Sequence, residues 1–362
     1  YRYHHLFADV LRTTLTRDEE ISLHTRALNW YEAQGELTQA IAHAQIVNRL
    51  TGDSAPLARL ICSVGDDIIS RGGVQTLRGW LDLLPDARIS DHCELAVYNA
   101  WVAALSGAMK RAEDFARIAE TRLSASSDAG WGRLHILEGF LALMVSRNYP
   151  AATEFGAQAL ARLGDDHTQW RLMATWVLSE AQKRGGDLSR AITTIEAAER
   201  QGLMNDSGFF GLLVEISLVS CLYFHGERTA AIQRCETMIA QLCDDAHGQS
   251  SPLAGIVYTW LGRLHYEAND FGRAQASFEA GQRLNERVEL ELYVMFGLAY
   301  GALLQNARGE TEAALASLRR AHQLALQTNL ADAAWFPAWE ANIRLQNGEI
   351  SVADAWARSE DL

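Results

Sequence analysis

Long apolar runs and proline are what this sequence most lacks. No uninterrupted stretch of apolar residues approaches the length of about 18 that a membrane-spanning helix needs. Only five of the 362 residues are proline, and no low-complexity tract interrupts the chain. Hydrophobic residues make up 48% of the sequence and charged residues 21%, a composition that favours a packed core over disorder. We therefore expect no membrane partner and one elongated, ordered body.

Paired cysteines are also missing. The chain has five cysteines, an odd number, and no C-x-x-C pair occurs among positions 62, 93, 221, 235 and 243. This spacing favours neither a disulfide framework nor a zinc site. A reducing compartment fits this usage, and we expect the protein to be cytoplasmic.

Positive charge is scarce, which bears on nucleic-acid binding. Lysine and arginine total 32 against 45 acidic residues, for a net charge of −13. Such a balance opposes contact with a phosphate backbone unless basic residues are concentrated on one face, and no such concentration is seen. We expect that this stretch of chain binds no nucleic acid.

The sequence contains none of the short motifs that carry common chemistries. There is no glycine-rich loop ending in Gly-Lys-Ser/Thr, no H-E-x-x-H and no G-x-S-x-G, so phosphate binding, zinc catalysis and a nucleophile elbow are all unsupported. Neighbouring acidic pairs such as Asp165 and Asp166 fall at turns or helix ends, where solvated caps are the simpler interpretation. We expect no enzyme activity, no catalytic residues, no metal and no cofactor in this stretch.

What the sequence does have is a repeat. After a turn of Gly, Asn, Asp or Glu, an alanine recurs at nearly the same offset about every forty residues. Leu77, after the turn at Gly72 and Gly73, takes the corresponding position between the first two of these alanines, Ala40 and Ala112. This gives nine units. The anchor residues are Ala40, Leu77, Ala112, Ala152, Ala191, Ala231, Ala274, Ala314 and Ala353.

One unit shows how the repeat is expected to fold. Gly262 precedes a turn at Asn269 and Asp270, and Ala274 and Phe278 follow it, close to the tetratricopeptide pattern W-x2-L-G-x2-Y…A-x3-F. Small residues let two helices approach closely while larger ones fill the space beside the contact. The sequence thus predicts an all-α fold, a right-handed superhelix of about nine tetratricopeptide-like hairpins with a period near 39 residues, each packed only against its neighbours.

Local signals mark some helix ends. Thr16 with Glu19 predicts a capping box that opens the helix through Trp30 and Tyr31. Clusters of Gly, Ser, Asp and Pro predict loops between repeats at residues 85–91, 124–130, 164–168, 202–208 and 244–252.

A candidate binding surface follows from helical periodicity. In tetratricopeptide arrays the first helix of each hairpin lines the concave wall, at positions about 18, 15, 11, 8 and 7 before the anchor alanine. Aromatic and charged residues alternate at these positions, a mixture that suits a small molecule or a peptide. The predicted ligand-binding residues are Trp101, Trp176, Glu180, Arg184, Tyr223, Arg263 and Tyr266, with Lys183 and Phe224 beside them.

Three stretches carry a resemblance to a known family. They are the opening YRYHHLFADVLR with the residues through Ala44 after it, the run through Thr76, Leu77, Trp80, Leu81, Leu84 and Pro85, and the end through Asp354-Ala355-Trp356-Ala357-Arg358. Together they resemble the large ATP-dependent LuxR-type transcriptional activators. The resemblance implies that residues 1–35 are N-terminal helices joining a nucleotide-binding and winged-helix part that this chain lacks, and that residues 36–362 form a tetratricopeptide-like superhelix.

By the same resemblance the superhelix would sense an inducer. Its partners would be a small-molecule effector or a regulatory protein, and binding would drive self-association and activation of transcription. The chain begins at Tyr1, and we expect it to be a piece of a larger protein whose helix-turn-helix binds DNA elsewhere. The alternative is a general tetratricopeptide scaffold that docks a protein or peptide partner.

Overall fold

The computed structural model describes residues 15–124, 127–204, 208–242, 251–287, 291–327 and 335–359. Within these ranges the chain forms nineteen helices and no strand. The helices are α1 (Arg17–Ala33), α2 (Leu37–Thr51), α3 (Ala55–Ser70), α4 (Val74–Leu81), α5 (Asp86–Asp91), α6 (Cys93–Leu105), α7 (Met109–Arg122), α8 (Asp128–Met144), α9 (Tyr149–Arg162), α10 (Thr168–Arg184), α11 (Leu188–Arg200), α12 (Phe209–Phe224), α13 (Arg228–Leu242), α14 (Ala254–Glu267), α15 (Phe271–Arg287), α16 (Glu291–Ala307), α17 (Thr311–Gln327), α18 (Trp335–Gln346) and α19 (Ile350–Ser359).

Eighteen of these helices form nine antiparallel hairpins, as the repeat predicts. The first is α1 with α2 and the second α3 with α4; after the short α5, the third is α6 with α7, and the pairs continue to the ninth, α18 with α19. Every hairpin turns on one residue of positive φ: seven are glycines, and the others are Arg147 and Asn269. Each lies five residues before its anchor residue. Glycine suits this position because it adopts the left-handed backbone without a steric penalty.

The anchor residues are the contact points between paired helices. All of them from Ala40 to Ala314, including Leu77, are completely buried, and Ala353 is partly buried. At Gly262 the two helices lie so close that an added β-carbon would stand 2.6 Å from the ring of Phe278. Leu261 and Phe278 are both buried beside this contact. The predicted packing of small against large residues is therefore confirmed in this hairpin.

The observed ends of the helices and loops agree only in part with those predicted from the sequence. The capping box at Thr16 and Glu19 is present, with the Thr16 amide donating to Glu19 Oε2 at 2.9 Å. The loop expected at residues 85–91 is wrong, because Pro85 is the N-cap of α5 and its carbonyl oxygen accepts the first helical hydrogen bonds. The loop expected at residues 124–130 ends early, since α8 begins at Asp128. The opening run YRYHHLFADVLR lies outside the described residues.

Among the described residues, hairpins far apart in sequence touch in at least two places, so the expectation of neighbour contacts alone is wrong. The backbone at Gly208 comes so close to α3 that an added β-carbon would lie 2.6 Å from the Ser70 carbonyl oxygen. Farther along, the ring of Trp335 in the ninth hairpin lies over guanidinium groups of the fourth and fifth, at Arg147 and Arg184. The superhelix therefore coils tightly enough to meet itself, which encloses part of its inner groove.

The first hairpin bears on the expected domain boundary. Helix α1 packs along α2 across the turn at Gly35, in the same way as the later pairs. The boundary expected after residue 35 thus falls at the turn of a hairpin. The division of the chain into two parts stays a prediction.

Candidate functional site

The inner groove contains a partly open cavity of about 380 Å³, which we call the groove pocket. It is lined mainly by the first helices of six successive hairpins, α8, α10, α12, α14, α16 and α18. Its lining residues are Met144, Trp176, Glu180, Lys183, Arg184, Gly186, Leu188, Ile216, Ser220, Phe224, Thr259, Trp260, Leu292, Tyr293, Phe296, Tyr300 and Trp335. A cavity of this size lies at the lower end of the range for small-molecule sites.

Aromatic rings form much of the pocket wall. Phe296 and Tyr300 stack on one face of α16 with ring centroids 6.0 Å apart, and Trp260 meets Tyr300 at 6.3 Å. On the opposite side Trp176 is nearly buried and packs on Phe140 at 5.9 Å. Flat, rigid side chains of this kind contribute large apolar contact area with little loss of side-chain entropy.

One turn of α10 supplies the charged part of the pocket. Glu180, Lys183 and Arg184 stand at i, i+3 and i+4, so they share one face of the helix. The Lys183 ammonium donates to Glu180 Oε1 and to the hydroxyl of Ser220, and Arg184 Nε donates to Glu180 Oε2 at 3.4 Å. Ser217 from α12 also donates to Glu180 Oε1, at 2.8 Å.

The pKa of Glu180 reports how strongly this network holds the carboxylate. Burial raises that pKa, but the charges of Lys183 and Arg184, with hydrogen bonds from Lys183 and Ser217, lower it more, to about 2. Glu180 is therefore ionised at neutral pH in spite of being buried. Its carboxylate faces the side chains of both Lys183 and Arg184.

Trp335 lines the pocket where the ninth hairpin meets the fourth and fifth. Its ring centroid lies 5.9 Å from the Arg184 guanidinium carbon and 5.4 Å from that of Arg147. The side chain remains 40% exposed, so it is not part of the core. Guanidinium groups over an indole face are attracted by the ring quadrupole, which is negative at the face of the ring.

A second cluster continues the groove beyond the pocket. Arg263 in α14 lies over three tyrosine rings, with 6.0 Å to Tyr223, 5.6 Å to Tyr266 and 5.3 Å to Tyr300. It also pairs with Glu267, whose carboxylate accepts from the Tyr223 hydroxyl at 3.2 Å. Because Tyr300 lines the pocket and also contacts Arg263, the two parts of the groove are continuous.

The structure sorts the residues predicted from the sequence into three places. Trp176, Glu180 and Arg184 line the groove pocket, and Tyr223, Arg263 and Tyr266 form the adjoining cluster. Trp101 was expected on the same wall, but its side chain is 0% exposed. It lies between Phe140 at 5.6 Å and Trp170 at 5.9 Å. The reason is that α6 is covered on nearly all sides, with every residue from Leu95 to Ala104 buried, so Trp101 has no surface to offer a ligand.

Several pocket residues were missed by the sequence interpretation. Phe296 and Trp335 stand 18 positions before Ala314 and Ala353, an offset that the concave-wall rule already contains. Continuing the count to the last two anchors would have found both. Trp260 and Tyr300 lie at offsets next to those in the concave-wall rule. They face the pocket because the superhelix twists, and counting positions along one helix does not reveal this twist.

Other chemistry has little support in the described part of the chain. Those residues include no group of three His, Cys, Asp or Glu side chains placed to hold a metal ion. Among the same residues, no helix is both long and apolar enough to cross a membrane. The groove pocket brings apolar walls together with the Glu180–Lys183–Arg184 cluster, an arrangement that can bind a small molecule.

Comparison with known sequences adds a family. A family model described as the MalT-like TPR region matches residues 132–362. The HTH-type transcriptional regulator MalT of Vibrio cholerae serotype O1 is 25% identical over 214 residues, which cover 55% of this chain and 22% of that protein. The MalT of Vibrio campbellii is 24% identical over 249 residues, 67% of this chain and 25% of that protein. The chain spans about a quarter of the length of these curated relatives.

Solved structures share the fold. A Rap protein complexed with Competence and Sporulation Factor superposes with a TM-score of 0.62 at 13% identity, covering 94% of this chain and 96% of its own. A signal-transduction ATPase with a tetratricopeptide repeat sensor, from Pyrococcus horikoshii, gives a TM-score of 0.57 at 14% identity and covers 96% of this chain and 53% of its own. These likenesses agree with the predicted superhelix of tetratricopeptide-like hairpins. The family model matches more than half of the length of this chain. The chain therefore belongs to the family of MalT-like TPR regions.

Proposed function

We propose that this superhelix is the signal-sensing region of a transcriptional regulator. A small effector or a regulatory protein binds in its concave groove, and binding is coupled to self-association of the regulator and to activation of transcription. DNA contact belongs to a helix-turn-helix elsewhere in the regulator. The family to which the chain belongs and the regulators that it resembles support this role.

The observation that carries the proposal is the position of the groove pocket. Its lining comes from the fourth through the ninth hairpins, from Met144 in α8 to Trp335 in α18. A ligand that fills it touches hairpins that are far apart in sequence and bridges them. Few other places in a solenoid allow one small molecule to contact so many repeats at once.

Such a bridge gives a physical route from binding to a change of shape. The curvature of a solenoid is the sum of small rotations between neighbouring hairpins. A ligand that contacts both sides of the groove binds the closed curvature better than an open one, so it shifts the population towards the closed form. The two ends of the superhelix then change their relative placement, and surfaces for self-association can become accessible or hidden.

A thermal-shift screen of the region against sugars, aromatic acids and other small metabolites tests the proposal. A ligand that binds only the folded state raises the melting temperature, and raises it further as the ligand concentration increases. Trp335→Ala and Trp176→Ala should abolish the rise, whereas Trp30→Ala, at an exposed tryptophan of α1, should leave it intact. Small-angle scattering and sedimentation velocity with the compound then measure curvature and self-association. A compound that stabilises the protein without changing either would contradict the coupling.

A protein or peptide partner is the alternative occupant, and one feature favours it. Phe224, on the rim between the pocket and the Arg263 cluster, is 65% exposed, which leaves an apolar side chain for an extended ligand to cover. The Rap structure of the same fold contains a factor as its complex partner. Loss of partner binding in Tyr266→Ala, a residue outside the pocket lining, with small-molecule stabilisation unchanged, would favour this alternative.

A further inference from the structure

We infer that His24 and His43 form a pH-sensitive latch on the first hairpin, which we call the histidine latch. It holds α1 against α2 while the two rings together carry at most one proton more than their neutral forms. It opens when both imidazole rings are protonated. Neither histidine lines the groove pocket, so the latch is independent of the proposed effector site.

The two histidines meet across the hairpin through the same ring atom. His24 lies on α1 and His43 on α2, and their Nδ1 atoms are 2.8 Å apart. The ring centroids are 5.0 Å apart and the ring planes are inclined at 42°. An N···N distance of this length is that of a hydrogen bond. One Nδ1 therefore carries a proton and donates it, and the other Nδ1 accepts it.

This hydrogen bond limits how many protons the pair can hold. A neutral imidazole has one N–H donor and one acceptor nitrogen, whereas a protonated imidazole has two donors and no acceptor. A first extra proton can bind Nε2 of the donating ring, which keeps the hydrogen bond and makes it charge-assisted. A second extra proton must bind the accepting Nδ1. Two N–H groups and two positive charges would then face each other, and the rings must separate.

The surroundings of His43 also oppose a second charge. The ring of Tyr31 stacks on the His43 ring with centroids 5.4 Å apart and planes inclined at 15°. Both histidines are half-buried, beside the buried side chains of Leu28 and Ala44. Burial, and then the positive charge of His24, lower the pKa of His43 below its ordinary value of 6.5. The folded hairpin thus favours the neutral form of this ring.

No described carboxylate in the first hairpin neutralises the pair. Glu20, one turn before His24, is the nearest acidic residue along α1, and Glu36 at the N-cap of α2 stands two turns before His43. Arg17, two turns before His24, directs its guanidinium to a backbone carbonyl oxygen of α2. Among the described residues, the histidines that form ion pairs are His135, His167 and His225.

The neighbouring helix supplies no counter-charge either. Helix α3 follows α2 and packs against it. Its charged side chains each pair with another residue: Arg59 with Glu32, Asp66 with Arg133 and Asp67 with Arg71. Repulsion within a doubly protonated pair is therefore relieved by moving α1 away from α2. A solenoid can open in this way at one repeat while the others stay folded.

Hydrogen exchange of the whole 362-residue chain across pH tests the latch. Protection of each helix is measured by mass spectrometry between about pH 8 and pH 5 and corrected for the pH dependence of intrinsic exchange. The open hairpin binds one proton more than the closed one. Protection of α1 and α2 should therefore fall by up to about tenfold for each pH unit below about 6.5, while the helices of the groove pocket keep theirs.

Two glutamine variants separate the latch from other effects of acid. In His24→Gln the amide can still donate to or accept from His43 Nδ1, but no second imidazolium can form. Protection of α1 and α2 should then be nearly independent of pH over the same range. His92→Gln is the matched control, because it removes an exposed imidazole at the N-cap of α6. It should keep the wild-type profile.

The proton uptake of the wild-type pair decides the matter if His24→Gln fails to fold. In an NMR titration of the histidine Cε1–H signals, the pair should take up protons in two separate steps, the second below about pH 6.5. A single common step overturns the latch. So does a wild-type exchange profile in His24→Gln, or protection of α1 and α2 that stays constant down to about pH 5. None of these results changes the expectations for ligand binding in the groove pocket.

Discussion

The ring of Trp335 lies 5.9 Å from the guanidinium carbon of Arg184, although 150 residues and several hairpins separate the two along the chain. With the neighbouring contact to Arg147, this pairing joins the ninth hairpin to the fourth and fifth. It is the point at which the superhelix meets itself across its groove. Trp335 and Arg184 both line the groove pocket, so this contact forms part of its wall.

Removing the closing ring should therefore open the superhelix. Each cation–π contact at a partly exposed site contributes only about 0.5–1 kcal/mol, so Trp335→Ala should lower the free energy of unfolding slightly while the curvature relaxes. We expect a larger radius of gyration in small-angle scattering. The matched variant Trp30→Ala removes an exposed tryptophan that lines no part of the groove pocket. Equal radii for the two variants would show that Trp335 does not hold the groove closed.

Trp101 should behave as a core residue and not as a binding residue. Its completely buried ring contacts Phe140 and Trp170. Truncation to alanine leaves a large cavity, and Trp101→Ala should lower the free energy of unfolding by about 3–5 kcal/mol, measured by urea titration. Any ligand that the remaining folded protein binds should keep its affinity. A stable Trp101→Ala variant that had lost only ligand affinity would return this residue to the site.

A single methyl group should disturb the contact within the seventh hairpin. The β-carbon of Gly262→Ala would stand 2.6 Å from the Phe278 ring, and overpacking of this kind typically costs about 1–3 kcal/mol. Shortening the opposing side chain, in Gly262→Ala with Phe278→Leu, should recover part of that loss. Gly79→Ala, where nothing lies within 4 Å, should be neutral or stabilising by about 0.5–1 kcal/mol, because alanine is the better helix former. Equal losses in the two glycine variants would contradict the close contact.

The charged cluster predicts how stability depends on acid. The pKa of Glu180 falls from an ordinary 4.5 to about 2 in the folded protein, since the two neighbouring cations and their hydrogen bonds outweigh the effect of burial. A lowered folded-state pKa stabilises the protein above the unfolded value, and this stabilisation is lost as the pH falls towards the folded value. Its contribution is thus complete above about pH 4.5 and declines down to about pH 2.

Unfolding of wild type and Glu180→Gln across this range measures that contribution. The difference in unfolding free energy between the two proteins should be constant near neutral pH and shrink below about pH 4.5. A difference that does not change between pH 5 and pH 2 would mean that the carboxylate titrates normally in the folded protein. The buried ion cluster would then be weaker than its geometry indicates.

The sequence alone determined the hairpins. Each turn residue of positive φ lies five positions before its anchor, as at Gly35 and Ala40 or Asn269 and Ala274. Both requirements are local: a left-handed backbone favours glycine or asparagine, and two helices in contact need a small residue between them. Helical periodicity is also a local property, and it placed Trp176, Glu180 and Arg184 on the inner wall. The proline before helix α5 is a loop signal in the sequence, but proline also fits the start of a helix, so the sequence does not distinguish the two.

The tertiary structure alone decided which inner residues face a cavity. Small rotations between hairpins add up along the array, and no local pattern specifies their sum. That sum buries Trp101 completely, brings Trp335 over Arg184 and lets Tyr300 join the pocket to the Arg263 cluster. Helical periodicity can state which face of a helix turns inward. Whether that face meets another helix, a ligand or water depends on how tightly the whole superhelix coils.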